Sequence, residues 1–336
     1  MRHSIVPALL ALIVATPAFA QEEINLYSSR HYDTDEALYS DFEATTGIKI
    51  NRIEDSADKL IERMRSEGEL SQADVLVTVD VGLIQRAEDA GLFQPLSSEL
   101  VVEVVPENLR DETDLWTGLT TRARLIFFDK DDVTDPPQTY QDLADPKYKG
   151  MICTRSSSNV YMLSLLASIV ANNGDEAGKE WAAGLLANLA RDPEGGDTDQ
   201  LRGLISGECE IAVANHYYYL RGVSSEVTGL SEGIDKIGIV FPNQETTGTH
   251  INLSAAGIAK YAPHEENARA FIEYLLSPRA QKLLAEGNNE FPVVAGVELS
   301  PTLQQLGDFR HDPIRIAEFG ELSDRAQEIY NEVGYK

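Results

Sequence analysis

Basic residues are scarce in this chain of 336 residues, which carries 28 lysines and arginines against 55 aspartates and glutamates. Such an acidic balance excludes a protein that binds the phosphate backbone of nucleic acid, because that task requires a basic surface. After residue 20 no apolar run reaches the roughly 18 residues that a membrane-spanning helix requires. We therefore expect a soluble protein that does not bind nucleic acid.

The first twenty residues have the pattern of a secretory signal peptide. Arg2 gives a short basic start, residues 5–14 are an apolar run, and Ala18-Phe19-Ala20 is a small-x-small cleavage signature. We expect cleavage after Ala20 and export to the periplasm. The exported chain then has 27 basic and 55 acidic residues, a net charge of 27 − 55 = −28.

Cysteine is also rare, with Cys153 and Cys209 alone in the chain. Neither lies in a CxxC motif or a Cys/His cluster, which disfavours a zinc site. In an oxidising compartment a single pair of cysteines is most simply a disulfide, so we predict a Cys153–Cys209 bond. The chain also lacks HExxH, and none of its histidines lies in an evident catalytic triad, so we expect no enzyme.

Two series of alternating strand and helix patterns predict an α/β fold with a mostly parallel sheet. Two extended stretches without helix signals, at 121–128 and 250–258, are interpreted as crossovers between two lobes. The pattern therefore predicts a hinged, two-lobed clamshell. We assign residues 21–120 and 250–278 to an N-terminal lobe, residues 121–249 and 279–336 to a C-terminal lobe, and residues 267–284 to one long helix.

Tyrosine occurs at three predicted turns between a strand and a helix. Tyr32 follows the first strand, Tyr161 follows a serine-rich turn, and Tyr217-Tyr218-Tyr219 follow a buried strand. Ligands in α/β sheets bind beyond the carboxyl ends of the strands, beside helix N-termini. Consecutive helical residues are about 100° apart, so Tyr217 and Tyr218 are placed to converge, whereas Tyr219 faces elsewhere and is expected to pack.

Fe(III) is the cargo that such a set of phenols suits best. It is a hard trivalent cation that prefers anionic oxygen donors, and a strong Lewis acid displaces the phenolic proton. His31 is a candidate nitrogen donor, and Arg30, Arg155 or Arg221 can offset an excess of negative charge. The alternative is a binding protein of the same fold for a small organic cation, held by an aromatic box, or for an oxyanion at a helix N-terminus.

At these residues the sequence closely resembles the periplasmic ferric-iron-binding proteins of bacterial ABC importers. The segments that carry the resemblance span nearly the whole exported chain and are Leu26–Tyr32 with Thr34-Asp35, residues 73–93, the Arg155–Tyr161 turn, and Asn215-His216-Tyr217-Tyr218. The resemblance implies a two-lobed, transferrin-like clamshell of the periplasmic-binding-protein type with two crossover strands. It also implies a monomer that captures Fe(III) in the interlobe cleft and delivers it to the permease of an iron importer.

Position by position, the resemblance implies the metal ligands His31, Tyr32, Tyr161, Tyr217 and Tyr218, with Arg30, Arg155, Asn215 and Arg221 around them. This is the tyrosine-rich branch of the family. Another branch uses a glutamate of the first lobe together with a bound anion, but here the corresponding position is Val79 or a neighbour. Whether His31 binds the metal directly or supports Tyr32 stays open at this point, as does the presence of an anion.

Overall fold

The first part of the fold is a β-α-β-α-β unit, as the sequence pattern predicts. The computed structural model describes residues 21–30, 32–225 and 227–336, so the predicted signal peptide and His31 lie outside the described residues. The elements of this unit are β1 (Glu23–Ser28), α1 (Asp35–Thr46), β2 (Lys49–Glu54), α2 (Ala57–Glu67), β3 (Val75–Thr78) and α3 (Val81–Asp89). Strand β1 pairs in parallel with β2 on one side and with β3 on the other.

Local sequence explains where these helices begin and end. Gly47 ends α1 with φ 77°, a left-handed conformation that costs glycine little, and its N–H bonds to the carbonyl of Glu43. Asp80 begins α3, and its side chain accepts a hydrogen bond from the backbone N–H of Gly82 at 2.8 Å. The Gly47 cap therefore fixes the helix-to-strand turn into β2, and the Asp80 cap fixes the strand-to-helix turn after β3.

The rest of the chain adds further helices and strands around the same sheet. The helices are α4 (Glu99–Val104), α5 (Val160–Asn173), α6 (Asp175–Ala187), α7 (Asp197–Ser206), α8 (His216–Ser224), α9 (Glu265–Leu275), α10 (Pro278–Asn288), α11 (Pro301–Gln304), α12 (Ile316–Glu321) and α13 (Ser323–Val333). The strands are β4 (Phe93–Gln94), β5 (Thr117–Asp129), β6 (Ile152–Cys153), β7 (Ile211–Asn215), β8 (Ile237–Val240), β9 (Ile251–Ala259) and β10 (Phe291–Pro292).

Two long strands connect the halves of the sheet, whose order is β2-β1-β3-β9-β5-β7-β6. The first part of β5 pairs with β9, and its second part, from Arg124, pairs with β7 and then β8. Strands β5 and β9 coincide with the two predicted crossovers. The pairs on either side of them, β1 with β2 and β3, and β6 with β7, are parallel. The α/β class is therefore confirmed, but the prediction of a mostly parallel sheet is wrong: the sheet is mixed, because every pairing that β5 and β9 make is antiparallel.

The predicted single helix over 267–284 is wrong, because the chain forms α9 and α10 with a break at Ser277-Pro278. Proline cannot sit in a helix interior, since it has no N–H and its ring clashes with the preceding turn. It is tolerated in a first turn, and here the Ser277 hydroxyl caps α10 by accepting from the N–H of Ala280 at 3.2 Å. Helix α10 then packs against α1.

Cys153 and Cys209 form a disulfide, with their Cα atoms 5.9 Å apart, which confirms the predicted pairing. The bond joins the end of β6 to the segment that leads into β7. Gly203 lies against it, since a Cβ there would come 2.7 Å from the sulfur of Cys209. Across the described residues we find no helix with both the length and the apolar character needed to cross a membrane.

Candidate metal centre

Each candidate tyrosine lies just beyond a strand and at or near the start of a helix. Tyr32 lies between β1 and α1, and Tyr161 is the second residue of α5. Tyr217 and Tyr218 are the second and third residues of α8, which follows β7 without an intervening loop. Asn159 caps α5, its side chain accepting from the N–H of Tyr161 at 3.1 Å. The local structure thus places all four tyrosines where the sequence predicts them.

The structure brings these four side chains together. The hydroxyl oxygens of Tyr161 and Tyr217 are 3.3 Å apart, and the rings of Tyr217 and Tyr218 are 4.4 Å apart between centroids. The guanidinium of Arg221 lies 5.5 Å from the ring centroid of Tyr32, 5.4 Å from that of Tyr217 and 5.5 Å from that of Tyr218. Residues from three separate turns, more than 180 positions apart at the extremes, therefore share one site.

Arginines surround this cluster closely. Arg122, Arg124 and Arg155 lie 5.7, 5.7 and 5.4 Å from the ring centroid of Tyr161, and Arg30 lies 4.9 Å from that of Tyr32. Arg30, Arg122 and Arg124 are almost fully buried. Buried cations beside phenols favour the anionic form of those phenols, so the surroundings suit phenolates.

Buried carboxylates hold the arginines in place. Glu290 accepts from Arg30 at 2.8 Å and lies 3.5 Å from Arg122. Asp35 accepts from both Nε and Nη2 of Arg30, each at 3.0 Å. On the other side of the cluster Asp197 pairs with Arg124 at 2.6 Å and with Arg155 at 3.8 Å. These ion pairs fix the arginine geometry before any cargo arrives.

Burial keeps the tyrosines protonated at neutral pH. It is the main cause that raises the pKa of Tyr32 to about 12, with a smaller contribution from the charge of Glu290. Burial also raises the pKa of Tyr161, Tyr217 and Tyr218, and in each case a neighbouring acidic side chain or phenolate adds to the effect. Phenolates therefore form here only when a strong Lewis acid displaces the protons.

Other metal-binding arrangements are not apparent in the part of the chain that the structure describes. There, no group of three or more histidine, cysteine, aspartate or glutamate side chains is placed to hold a metal ion. His216 is buried next to Tyr217, and both of its ring nitrogens bond to backbone groups, those of Ala123 and Asn289. Burial lowers the pKa of His216 to about 4, so the imidazole is neutral.

Comparison with known proteins places the chain in a family. The family model described as bacterial extracellular solute-binding protein matches residues 71–306. Iron uptake protein A1 of Synechocystis sp. (strain PCC 6803) is 47% identical over 327 residues, covering 97% of this chain and 91% of the relative. The chain belongs to the bacterial extracellular solute-binding proteins.

Solved structures agree with this assignment. The Trichodesmium protein IdiA (FutA), in complex with iron and citrate ligands, superposes with a TM-score of 0.90 at 47% identity, covering 94% of this chain and all of the other. Apo FutA2 from Synechocystis superposes with a TM-score of 0.89 at 46% identity and the same coverage. These relatives are binding and uptake proteins rather than enzymes. They have the two-lobed architecture that the sequence predicts for this solute-binding protein.

The outer residues predicted for the site are also found beside it. Arg30, Arg155 and Arg221 lie against the tyrosine rings as described above. Asn215 directly precedes α8, and its side-chain oxygen accepts a hydrogen bond from Arg124 at 3.2 Å. Tyr219 turns away and stacks on Phe127 with ring centroids 5.5 Å apart, as expected of a packing residue.

Sequence reasoning missed Arg122, Arg124 and Glu290 of this solute-binding protein. Arg122 and Arg124 are two positions apart in β5, so their side chains point to the same face of the strand. The strand has no other charged residue before Asp129. Two charged residues on one face of a buried strand were a usable signal of a charged site. Glu290 had no such signal, because its partners Arg30 and Arg122 are 260 and 168 positions away.

One sequence motif is shared with serine hydrolases and bears on the prediction that the protein is not an enzyme. Residues 229–233, Gly-Leu-Ser-Glu-Gly, match the GxSxG pattern of serine hydrolases. That motif needs a strand before the serine and a helix after it. Ser231 instead begins a short 3₁₀ helix, and its hydroxyl bonds to backbone groups of Gly222, Ser225 and Val227. The pentapeptide therefore forms a structural turn in this solute-binding protein, not a nucleophile elbow.

Proposed function

We propose that this protein is a periplasmic carrier that binds one Fe(III) through Tyr32, Tyr161, Tyr217 and Tyr218, with His31 as the candidate nitrogen donor. The observation that carries the proposal is the convergence of these four phenols inside a shell of buried arginines. Four phenolates bring four negative charges to a trivalent ion, which leaves one in excess. The surrounding guanidinium groups offset that charge, and a hard oxygen donor set of this kind selects Fe(III) over softer metals.

The proposal extends to the whole transport step. Residues 1–20 act as a signal peptide cleaved after Ala20, and the exported protein works as a monomer. The ion binds between lobes formed by residues 21–120 with 250–278 and by residues 121–249 with 279–336, which move about β5 and β9. Closure brings donors of both lobes together, so binding and hinge motion are coupled. The loaded carrier then docks on the permease of an ABC importer of iron.

Iron loading is the direct test of the proposed cargo. We expect the exported protein, stripped of metal, incubated with ferric citrate and passed through a desalting column, to retain one iron per chain. The same treatment with Zn(II) or Mn(II) citrate is expected to leave the protein free of metal. Retention of no iron would overturn the proposal. Stabilisation by a small organic cation or an oxyanion would then point to the alternative cargo.

Proton release is a second expected result, since the raised pKa values keep the phenols protonated before iron binds. Each phenol that becomes a ligand loses its proton, so uptake at pH 7 should release about four protons per iron, one for each tyrosine. Because the bound form holds fewer protons, affinity rises with pH and falls as the solution becomes acidic. A pH-stat titration with Fe(III) nitrilotriacetate as the iron donor measures the number, after correction for the protons that the released nitrilotriacetate takes up. Release of about one proton would contradict coordination by the tyrosine set.

A further inference from the structure

Four consecutive residues that run from the end of α10 to the start of β10, Gly287-Asn288-Asn289-Glu290, lie between the two tyrosine-bearing turns that face each other. We call them the 287–290 segment. Each member contacts a residue close in sequence to one of the proposed ligands, and the segment itself supplies none of those ligands. It starts in the last turn of α10, which packs against α1, and runs directly into β10, which pairs with β5.

The two ends of the segment contact the turn that carries Tyr32. Gly287 lies so close to Thr34 that a Cβ added to the glycine would come 3.0 Å from the Cβ of Thr34. At the other end, Glu290 accepts from Arg30 at 2.8 Å. Thr34 and Arg30 stand two positions after and two positions before Tyr32, so the segment holds that turn on both sides.

The two middle residues contact α8, which carries Tyr217 and Tyr218. The side-chain oxygen of Asn288 accepts from Nη2 of Arg221 at 3.1 Å, and the carbonyl of Asn289 lies 2.7 Å from Nε2 of His216. Nδ1 of His216 accepts from the backbone N–H of Ala123 at 3.1 Å. Since Nδ1 is the acceptor, Nε2 carries the proton and donates it to Asn289.

Contacts with α10 and β5 also hold the 287–290 segment in one conformation. Asn289 ends α10 in the left-handed region at φ 56°, with its N–H bonded to the carbonyl of Ala285 at 3.0 Å. Glu290 also accepts from the hydroxyl of Thr120 at 3.0 Å, and Phe291 pairs with Thr121 in the sheet. The ring of Phe291 lies 4.6 Å from that of His216 between centroids. Because the segment is fixed at both ends, a shift of the turn that carries Tyr32 is accompanied by a shift of α8.

We propose that the 287–290 segment sets the distance between Tyr32 and the Tyr217–Tyr218 pair, with His216 as the positioning residue that ties α8 to it. This inference rests on the proposed function, because the distance matters only if these tyrosines bind one ion. A donor displaced by a fraction of an ångström weakens a metal site without unfolding the protein. The segment therefore governs how tightly Fe(III) is held.

Two substitutions of His216 separate the contacts of its two nitrogens. In His216→Asn the amide reaches only the place of Nδ1, so it keeps the contact with Ala123 and loses the one with Asn289. In His216→Gln the amide reaches the place of Nε2 and restores the donor to Asn289. We expect the Fe(III) dissociation constant, measured by competition with citrate, to rise about tenfold or more in the first variant and about threefold or less in the second.

A glycine pair gives an independent test that does not touch the histidine. Gly287→Ala forces Thr34 to move by a few tenths of an ångström and should weaken iron binding by about tenfold. Gly184 of α6 is the matched control, because the atoms nearest to a Cβ there all belong to Ala144, the closest at 2.6 Å, and none belongs to a tyrosine. Gly184→Ala is expected to lower the unfolding temperature and to leave the iron dissociation constant unchanged.

The visible spectrum distinguishes a positioning effect from general destabilisation. The phenolate-to-iron band should shift in His216→Asn and Gly287→Ala and stay in place in His216→Gln and Gly184→Ala. Wild-type affinity and spectrum in both His216→Asn and Gly287→Ala would overturn this inference while leaving the proposed cargo intact. If His216→Asn fails to fold, the affinity and spectrum of Gly287→Ala alone test the inference. Absence of iron binding by the wild-type protein would instead overturn the proposed function itself.

Discussion

Replacing Tyr217 and Tyr218 together by phenylalanine is expected to weaken Fe(III) binding by at least about 10³-fold. Loss of an outer hydrogen-bond partner already costs a metal site about 10–100-fold, and this variant removes two direct donors. Both phenylalanines keep the rings, so the contact between them at 4.4 Å and the contacts with Arg221 remain. The fold should therefore survive the change. Competition with citrate, followed by the iron content of the recovered protein, measures the loss.

Tyr219→Phe is the matched control for that double variant. It makes the same chemical change one residue further along α8, on a ring that stacks on Phe127 and faces away from the cluster. Its iron affinity should equal that of the wild-type protein. An unchanged affinity in the Tyr217→Phe/Tyr218→Phe variant, or an equal loss in Tyr219→Phe, would contradict the assignment of the ligands.

Replacing Asp197 by alanine is expected to lower the free energy of unfolding by about 3–5 kcal/mol, the usual cost of removing one partner from a buried ion pair. Asp197 is fully buried. It accepts from Arg124 at 2.6 Å and from the backbone N–H of Asn215, the residue before α8, at 2.8 Å. Without it the guanidinium of Arg124 stays buried with no carboxylate, and the start of α8 loses its anchor. Urea unfolding monitored by circular dichroism measures the change.

A surface carboxylate gives the comparison for Asp197. Glu332 pairs with Lys179 at 2.7 Å on the outside of the protein, where water screens the charges, so Glu332→Ala should change stability little. The Asp197→Ala variant should also bind Fe(III) more weakly, because Arg124 and Arg155 lose the group that aims them at Tyr161. Equal stability of Asp197→Ala and Glu332→Ala would show that the buried pair contributes nothing net.

The tyrosine cluster was predictable from sequence because its members are marked locally. Each tyrosine follows a strand pattern and begins a helix pattern, and the ends of neighbouring strands meet at one edge of a sheet. The same local rules predicted the packing role of Tyr219. Chemistry at these positions thus follows from short stretches of sequence.

The arginine and carboxylate shell was not predictable in the same way. Arg30 and Glu290 are 260 positions apart, and nothing near either residue indicates the other. The error at Ser277-Pro278 has a different cause, because the apolar period of α9 continues into α10 and masks the proline break. Strand β5 proved longer than predicted at its start, since Thr117 and Thr120 are buried polar residues that resemble a loop in sequence.

A visible absorption titration tests the central claim most directly. Metal-free exported protein is titrated with ferric citrate, and the spectrum is recorded after each addition. Coordination by tyrosinates predicts a broad phenolate-to-iron charge-transfer band that grows linearly and saturates at one equivalent of iron. A titration that stays colourless, with all of the iron remaining on citrate, would contradict the account.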